Sequence, residues 1–214
     1  MKKQYFSVFA GLCMLSATAF AGPVIYDNGA PDNTQAGGFN SWTGVIEVAD
    51  PFELDPGNTL VGDAHWWGGY FTTSTGGDDF TLRIYEDSMG SPGDVVAERD
   101  LGAVGKSATG RNFIDFSGQD TGVAEYAYWA NFDPISLSAS TTYWFSVSNG
   151  IPWVWETTRL TSESVLRFGE DDWQSIGGAV AYNLTTVPEP ATILLTALGI
   201  AGTWYGRRGQ IKRA

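Results

Sequence analysis

The stretch Phe80-Thr81-Leu82-Arg83-Ile84-Tyr85 decides the fold class, because its apolar residues Phe80, Leu82 and Ile84 recur at every second position. Residues 142–148, TYWFSVS, show the same period, and so do residues 126–132, YAYWANF. Successive side chains of a β-strand point to opposite faces, so a period of two predicts a strand with one buried face. Between the chain ends, no stretch of 11 or more residues has a convincing helical period.

Further strand candidates alternate with turn signals along the chain. The turns include Asp55-Pro56-Gly57-Asn58, Gly90-Ser91-Pro92-Gly93 and Ser148-Asn149-Gly150. Glycine, proline and asparagine supply the backbone angles that tight turns need. About eleven short strands without crossover helices predict an all-β protein, an antiparallel β-sandwich of jelly-roll type.

Composition excludes several classes of function. The chain has 214 residues, a formal charge of −12, one cysteine and one histidine. One cysteine cannot form an internal disulfide, and one histidine cannot form a His-rich metal site. With only 12 basic residues against 24 acidic ones, we expect no nucleic-acid partner.

The first 21 residues have the features of a Sec signal peptide. Lys2 and Lys3 precede an apolar stretch, and Ala19 and Ala21 are small residues of the kind that signal peptidase accepts at its cleavage site. We expect cleavage after Ala21 by signal peptidase. Cleavage there would remove Cys13, the only cysteine.

The other end, residues 187–214, has three parts: Pro188-Glu189-Pro190, an apolar run at residues 191–205 and a basic tail. The basic residues of the tail are Arg207, Arg208, Lys212 and Arg213. As a helix the apolar run would be roughly 22 Å long, short of a bilayer core of about 30 Å. We therefore expect a single membrane-spanning helix that anchors the chain transiently in the inner membrane, with the basic tail in the cytoplasm.

This tail resembles the PEP-CTERM sorting signal of Gram-negative bacteria. The resemblance implies that Pro188, Glu189 and Pro190 are recognised by exosortase, a membrane transpeptidase-like enzyme. It also implies release to the cell surface or extracellular matrix. Two prolines keep the motif out of a helix and leave an extended, accessible backbone.

A second resemblance lies within residues 22–186, the predicted ectodomain. Residues 48–54, 66–70 and 80–93 resemble a sandwich module common in PEP-CTERM ectodomains, with Pro51 in place of its second acidic residue. The resemblance implies the fold and no particular activity. This segment holds six basic and 23 acidic residues, a net charge of −17.

Eight tryptophans lie outside the two ends, and flat aromatic rings exposed on a sandwich can stack against sugar rings. Trp66, Trp67, Trp153 and Trp155 are the candidates for glycan stacking. Because neighbours alternate, Trp66 and Trp67 cannot both point into the core of a regular strand. The alternative is that these large rings fill the core.

Carboxylates offer two further interpretations. Structural calcium could bind two acidic clusters, Asp78 with Asp79 and Glu170 with Asp171 and Asp172, although neither has EF-hand spacing and both fit solvated turns. A carboxylate pair could also make a carbohydrate-active enzyme. We expect no catalysis, since His65 has no partner nucleophile in any recognisable motif.

The sequence therefore predicts a non-catalytic, surface-sorted protein of the exopolysaccharide or biofilm matrix, acting there as a glycan-binding protein or as a structural component without a ligand. Its expected partners are signal peptidase and exosortase during export and an extracellular polysaccharide afterwards. The alternative is a carbohydrate-active enzyme.

Overall fold

The computed structural model describes residues 22–31, 37–71, 77–115, 117–160 and 162–186. Fourteen β-strands lie in these ranges: β1 (Val24–Asp27), β2 (Gly38–Asn40), β3 (Ile46–Glu53), β4 (Leu60–Gly69), β5 (Phe80–Asp87), β6 (Pro92–Gly102), β7 (Gly105–Ile114), β8 (Asp120–Ser136), β9 (Thr142–Asn149), β10 (Val154–Thr158), β11 (Val165–Phe168), β12 (Gln174–Ser175), β13 (Ala179–Val180) and β14 (Tyr182–Thr185). None of the described residues belongs to a helix long and apolar enough to span a bilayer.

The strands form two antiparallel sheets. In the larger sheet the order is β1-β14-β4-β10-β13, with β2 against β10, β8 against β4 and β7 against β8. In the smaller sheet the order is β12-β11-β3-β9-β5-β6. The prediction of an all-β, antiparallel fold is confirmed, whereas the jelly-roll connectivity stays a prediction.

The predicted alternation positions the core. Phe80, Leu82 and Ile84 of β5 are fully buried between the sheets, while Arg83 points to the outer face of the smaller sheet and contacts Glu47. In β9 the same alternation places Phe145 and Val147 in the core. The two stretches that decide the fold class are neighbours, since β5 pairs with β9.

Aromatic rings from the two sheets meet in this core. Trp66 of β4 and Phe80 of β5 pack edge to face with ring centroids 5.3 Å apart. Phe145 of β9 and Tyr182 of β14 stack at 4.6 Å. Each such pair adds about 0.5–1.5 kcal/mol beyond the area that it buries. These contacts join the two sheets face to face.

A buried carboxylate also links the sheets. Asp50 of β3 accepts hydrogen bonds from Asn28 at 3.0 Å, from Ser164 at 2.5 Å and from the backbone N–H of Val180 at 3.2 Å. Burial raises the pKa of Asp50 to about 6, against the effect of these hydrogen bonds. Asp50 thus joins β3 of the smaller sheet to β13 of the larger one.

The outer face of the smaller sheet is closed by a network around Glu47. Glu47 accepts hydrogen bonds from Tyr85 at 2.7 Å, Ser146 at 2.9 Å and Arg167 at 2.7 Å, and it pairs with Arg83 at 3.3 Å. Burial alone would raise its pKa, but the hydrogen bonds from Tyr85 and Arg167 and the charge of Arg83 outweigh burial and lower it. All four partners act on one buried carboxylate.

Trp173 covers this network. Its ring lies 4.6 Å from the Arg167 guanidinium and packs edge to face against Tyr85. Ala49, Trp144 and Val165 complete a second apolar cluster beneath it. The outer face of the smaller sheet is therefore packed rather than open.

The predicted ends lie outside the described residues. These are the signal peptide at residues 1–21, with Ala19 and Ala21, and the tail from residue 187, with its motif, apolar run and basic residues. The division of the chain at residues 21 and 187 stays a prediction.

Replacing Glu47 by glutamine should lower the free energy of unfolding by about 3 kcal/mol at neutral pH, because two largely buried guanidinium groups lose their counter-charge. Urea unfolding followed by circular dichroism measures this. The pKa of Glu47 is lowered in the folded protein. As the pH falls through this lowered pKa, Glu47 of the wild type becomes protonated, so the difference in free energy of unfolding between wild type and variant should shrink.

The matched control is Glu98→Gln. Glu98 also pairs with Arg83, at 2.5 Å, but its side chain is 47% exposed, so its loss should cost less than about 1 kcal/mol. Equal losses for the two variants would contradict the role given to Glu47.

Candidate functional site

Three of the four tryptophans predicted to stack on glycans are in the core. Trp66, Trp153 and Trp155 are 0% exposed, so the prediction of stacking is wrong for them. Their rings are needed to fill the space between the sheets, where Trp153 and Trp155 lie on the same side with centroids 6.3 Å apart. Trp67 is half-buried on the opposite face of β4 from Trp66, as the alternation predicts.

Trp129, which was not among the predicted site residues, is the one tryptophan of the described residues that is exposed. It lies in β8, is 37% exposed and faces away from the core that Tyr128 and Ala130 enter. On one side it opposes His65 of β4 and on the other Gly105 of β7. Trp129 therefore lies on the outer face of the larger sheet.

Gly105 explains how the ring lies. A Cβ atom at residue 105 would overlap the indole of Trp129, so only glycine lets the ring approach the backbone of β7 so closely. The indole is held against β7 while Trp129 stays exposed, and this exposed ring is called the platform below.

A shallow groove of about 520 Å³ begins at this platform. It runs between the end of β6 and the part of β8 that follows Trp129. Its polar lining comes from Arg99, Asp100, Asn131 and Asp133, and its apolar lining from Leu101, Ala103, Val104, Ala130 and Phe132.

Arg99 fixes the shape of the groove. Its guanidinium donates to the backbone carbonyl of Asp133 at 3.3 and 3.4 Å and to that of Glu98 at 2.9 Å. The bonds to Asp133 tie β6 of the smaller sheet to β8 across the groove. The side chains of Asp100, Asn131 and Asp133 remain exposed beside the platform.

A polar row continues from Trp129 across the same face. His65 contacts Asp63 through Nε2 at 3.0 Å, and Thr185 donates to the same carboxylate at 3.0 Å. Asp63 lies opposite Asn131 and is 3% exposed. Its Oδ1 atom has no hydrogen-bond partner among the described residues.

This arrangement is suited to binding a sugar chain. A flat aromatic ring can pack on the apolar face of a pyranose, while amide and carboxylate oxygens beside it can accept hydrogen bonds from hydroxyl groups. The groove is open and shallow, which admits a chain rather than enclosing a small molecule. We therefore take Trp129 and the groove as the candidate site, called the Trp129 groove below.

The acidic clusters predicted for calcium are not brought together by the fold. Asp78 accepts from the Tyr70 hydroxyl and pairs with Lys106 at 2.9 Å, whereas Asp79 is exposed. Glu170, Asp171 and Asp172 are exposed in the turn after β11. Within the described ranges, no three acidic, histidine or cysteine side chains are close enough to hold a metal ion. Calcium at these clusters stays a prediction.

The fold does bring one unforeseen pair of carboxyls together, Glu125 of β8 and Glu156 of β10. They are 0% and 1% exposed and lie near the end of β4, where Gly69 has no side chain between the flanking strands. Arg111 pairs with Glu125 at 2.6 Å. Burial, and then the charge of Glu125, raise the pKa of Glu156 to about 9, so Glu156 is protonated at neutral pH.

Replacing Glu156 by glutamine should stabilise the protein above neutral pH. Folding holds a proton on Glu156 that the unfolded chain releases near its ordinary pKa of 4.5, so the wild type loses stability as the pH rises from about 4.5 to about 9. The variant has no such proton to hold. Each kcal/mol gained should raise Tm by about 2–4 °C.

Thermal unfolding at a series of pH values tests this. The variant and the wild type should melt together below the ordinary pKa of glutamate and diverge above it, with the variant higher. A constant difference at all pH values would contradict the protonated state assigned to Glu156.

Comparison with known proteins identifies one segment of the chain. The PEP-CTERM protein-sorting motif matches residues 186–209. No curated protein and no solved structure matches the chain. The motif implies processing by an exosortase and passage through the membrane to the cell surface.

Proposed function

This chain carries the PEP-CTERM protein-sorting motif at residues 186–209, and we propose that it is exported to the cell surface and binds polysaccharide of the extracellular matrix through the Trp129 groove. The observation that carries the binding half is the exposed Trp129 indole, lying against Gly105 at the start of a groove lined by amide and carboxylate side chains. The motif carries the export half.

The location of the groove supports binding to a polymer. Trp129 lies on an outer sheet face rather than in a closed cavity, so a long chain can pass over it in either direction. The outer face of the smaller sheet offers no comparable platform in the described residues, because Trp173 packs against Arg167 and Tyr85 there. Binding is therefore assigned to the Trp129 groove, where β8 of the larger sheet lies beside β6 of the smaller one.

We propose a non-catalytic role. Glycoside hydrolysis needs two carboxyls on either side of the scissile bond, roughly 5 to 10 Å apart. The pair that the fold brings together, Glu125 and Glu156, is buried and in contact, with Arg111 beside it. This supports binding without cleavage.

Removing the platform should abolish binding. In the full chain, purified in detergent, Trp129→Ala should weaken affinity for a matrix polysaccharide or a glycan-array ligand about tenfold or more, as is usual for a central aromatic residue of a binding surface. Trp129→Phe should retain part of the affinity. Circular dichroism reports whether the fold is kept.

Trp173→Ala is the matched control, since it removes a half-buried tryptophan from the other sheet. It should leave affinity unchanged. If Trp129→Ala bound as well as the wild type, the proposed site would be wrong; if only Trp173→Ala lost binding, the smaller sheet would be the binding face.

For export, replacing Pro188, Glu189 and Pro190 together by alanine should stop processing. The chain should remain in the membrane fraction at full length, because alanine permits a helix at positions where proline disfavours one. Mass spectrometry of membrane and secreted fractions from an exosortase-containing host measures this.

Thr192→Ala, just after the motif, serves as the control and should be processed normally. Surface delivery of the triple-alanine variant at the wild-type mass and rate would contradict recognition at these three residues.

A further inference from the structure

We infer that the ligand of the Trp129 groove is a positively charged polysaccharide, a polymer of amino sugars with free amino groups. This inference rests on the proposed function, because it names the chemical class of glycan that the same groove takes. The inference is drawn from the charges around the groove and from the ion pairs that the basic side chains of the described residues already form.

The predicted ectodomain is strongly acidic. Residues 22–186 carry six basic and 23 acidic side chains, a net charge of −17. A field of that sign attracts polycations and repels polyanions over about a Debye length, near 8 Å at physiological salt. Anionic polymers such as polyuronates are therefore poor ligands for this surface.

The few cations do not form a patch that could reverse this preference. Four of them are held in ion pairs with carboxylates of the same chain: Arg83 with Glu47 and Glu98, Lys106 with Asp78, Arg111 with Glu125, and Arg167 with Glu47. Phosphate, sulfate or carboxylate groups of a ligand would have to compete with these pairs.

Within the groove the balance is the same. Arg99 is the single guanidinium in its lining, and it donates to the carbonyls of Asp133 and Glu98. Asp100 and Asp133 have exposed carboxylates that form no salt bridge within the described residues. The charge that the groove offers to a ligand is therefore negative.

Two further features of the platform favour an ammonium group. The face of an indole is the best aromatic partner for a cation, so Trp129 can bind the charged amino group of a sugar as well as its ring. On the same sheet face lies the buried Asp63, and its Oδ1 atom has no hydrogen-bond partner among the described residues.

The test compares three oligosaccharides on the full chain in detergent. A glucosamine oligomer at mildly acidic pH is positively charged, its N-acetylated equivalent has the same backbone without the charge, and an oligouronate is negative. We expect affinity to fall in that order. The advantage of the glucosamine oligomer over the N-acetylated one should shrink when salt is raised to about 0.5 M, which shortens the Debye length.

The double variant Asp100→Asn with Asp133→Asn removes the groove charges and leaves the Asp133 carbonyl to accept from Arg99. It should weaken binding of the glucosamine oligomer about tenfold and weaken binding of the N-acetylated oligomer much less, because an asparagine side chain still accepts hydrogen bonds from sugar hydroxyls. The control is Asp171→Asn with Asp172→Asn, which changes net charge equally in the turn after β11, at the opposite side of the smaller sheet from β6. It should have little effect.

The outcomes separate this inference from the proposed function. If the N-acetylated oligomer or the oligouronate bound as tightly as the glucosamine oligomer, and Trp129→Ala abolished that binding, the charge preference would be wrong while the site would stand. Equal losses in the two double variants would overturn the assignment of the preference to the groove. Binding that survives Trp129→Ala would overturn the proposed site itself.

Discussion

The aromatic layer between the two sheets is the constraint on which the other features depend. Trp66 and Trp153 pack edge to face on Phe80 in one part of it. In another part Phe145 stacks on Tyr182, and Trp155 packs edge to face against both. Once these rings are buried, the period of two along each strand dictates which neighbours face outwards. Because Trp66 and Tyr128 point into the core, the residues after them, Trp67 and Trp129, point outwards. The platform is thus a consequence of how the core is filled.

The outer faces of the two sheets differ in whether their polar side chains are bonded to one another and covered. On the smaller sheet Glu47 gathers two arginines, a tyrosine and a serine, and Trp173 covers the network. Between β8 of the larger sheet and β6 of the smaller one, the groove beside Trp129 stays open, and Arg99 is held by backbone carbonyls. The packed face stabilises the fold, and the open face is available to a ligand. Export by the sorting motif would bring this open face to the cell surface.

The sequence predicted the strands better than the site. Alternation in residues 80–85 and 142–148 correctly put Phe80 and Leu82 on one face of their strand and Phe145 and Val147 on one face of theirs, and it required Trp66 and Trp67 to face opposite ways. Alternation does not say which of two faces is buried, because that depends on partner strands far away in the chain. Trp129 is exposed and flat because Gly105, in a different strand, lies beneath it. Glu125 and Glu156 meet only because β4 ends between their strands, which no local pattern indicates.

Fluorine NMR of the full chain labelled with 5-fluorotryptophan tests the central claim most directly, since each ring reports its own environment. Trp129→Phe and Trp66→Phe assign two of the signals. The account predicts a solvent-exposed Trp129 signal that shifts on titration with a glucosamine oligomer, and a solvent-shielded Trp66 signal that does not. A shielded Trp129, or a shift confined to other tryptophans, would contradict it.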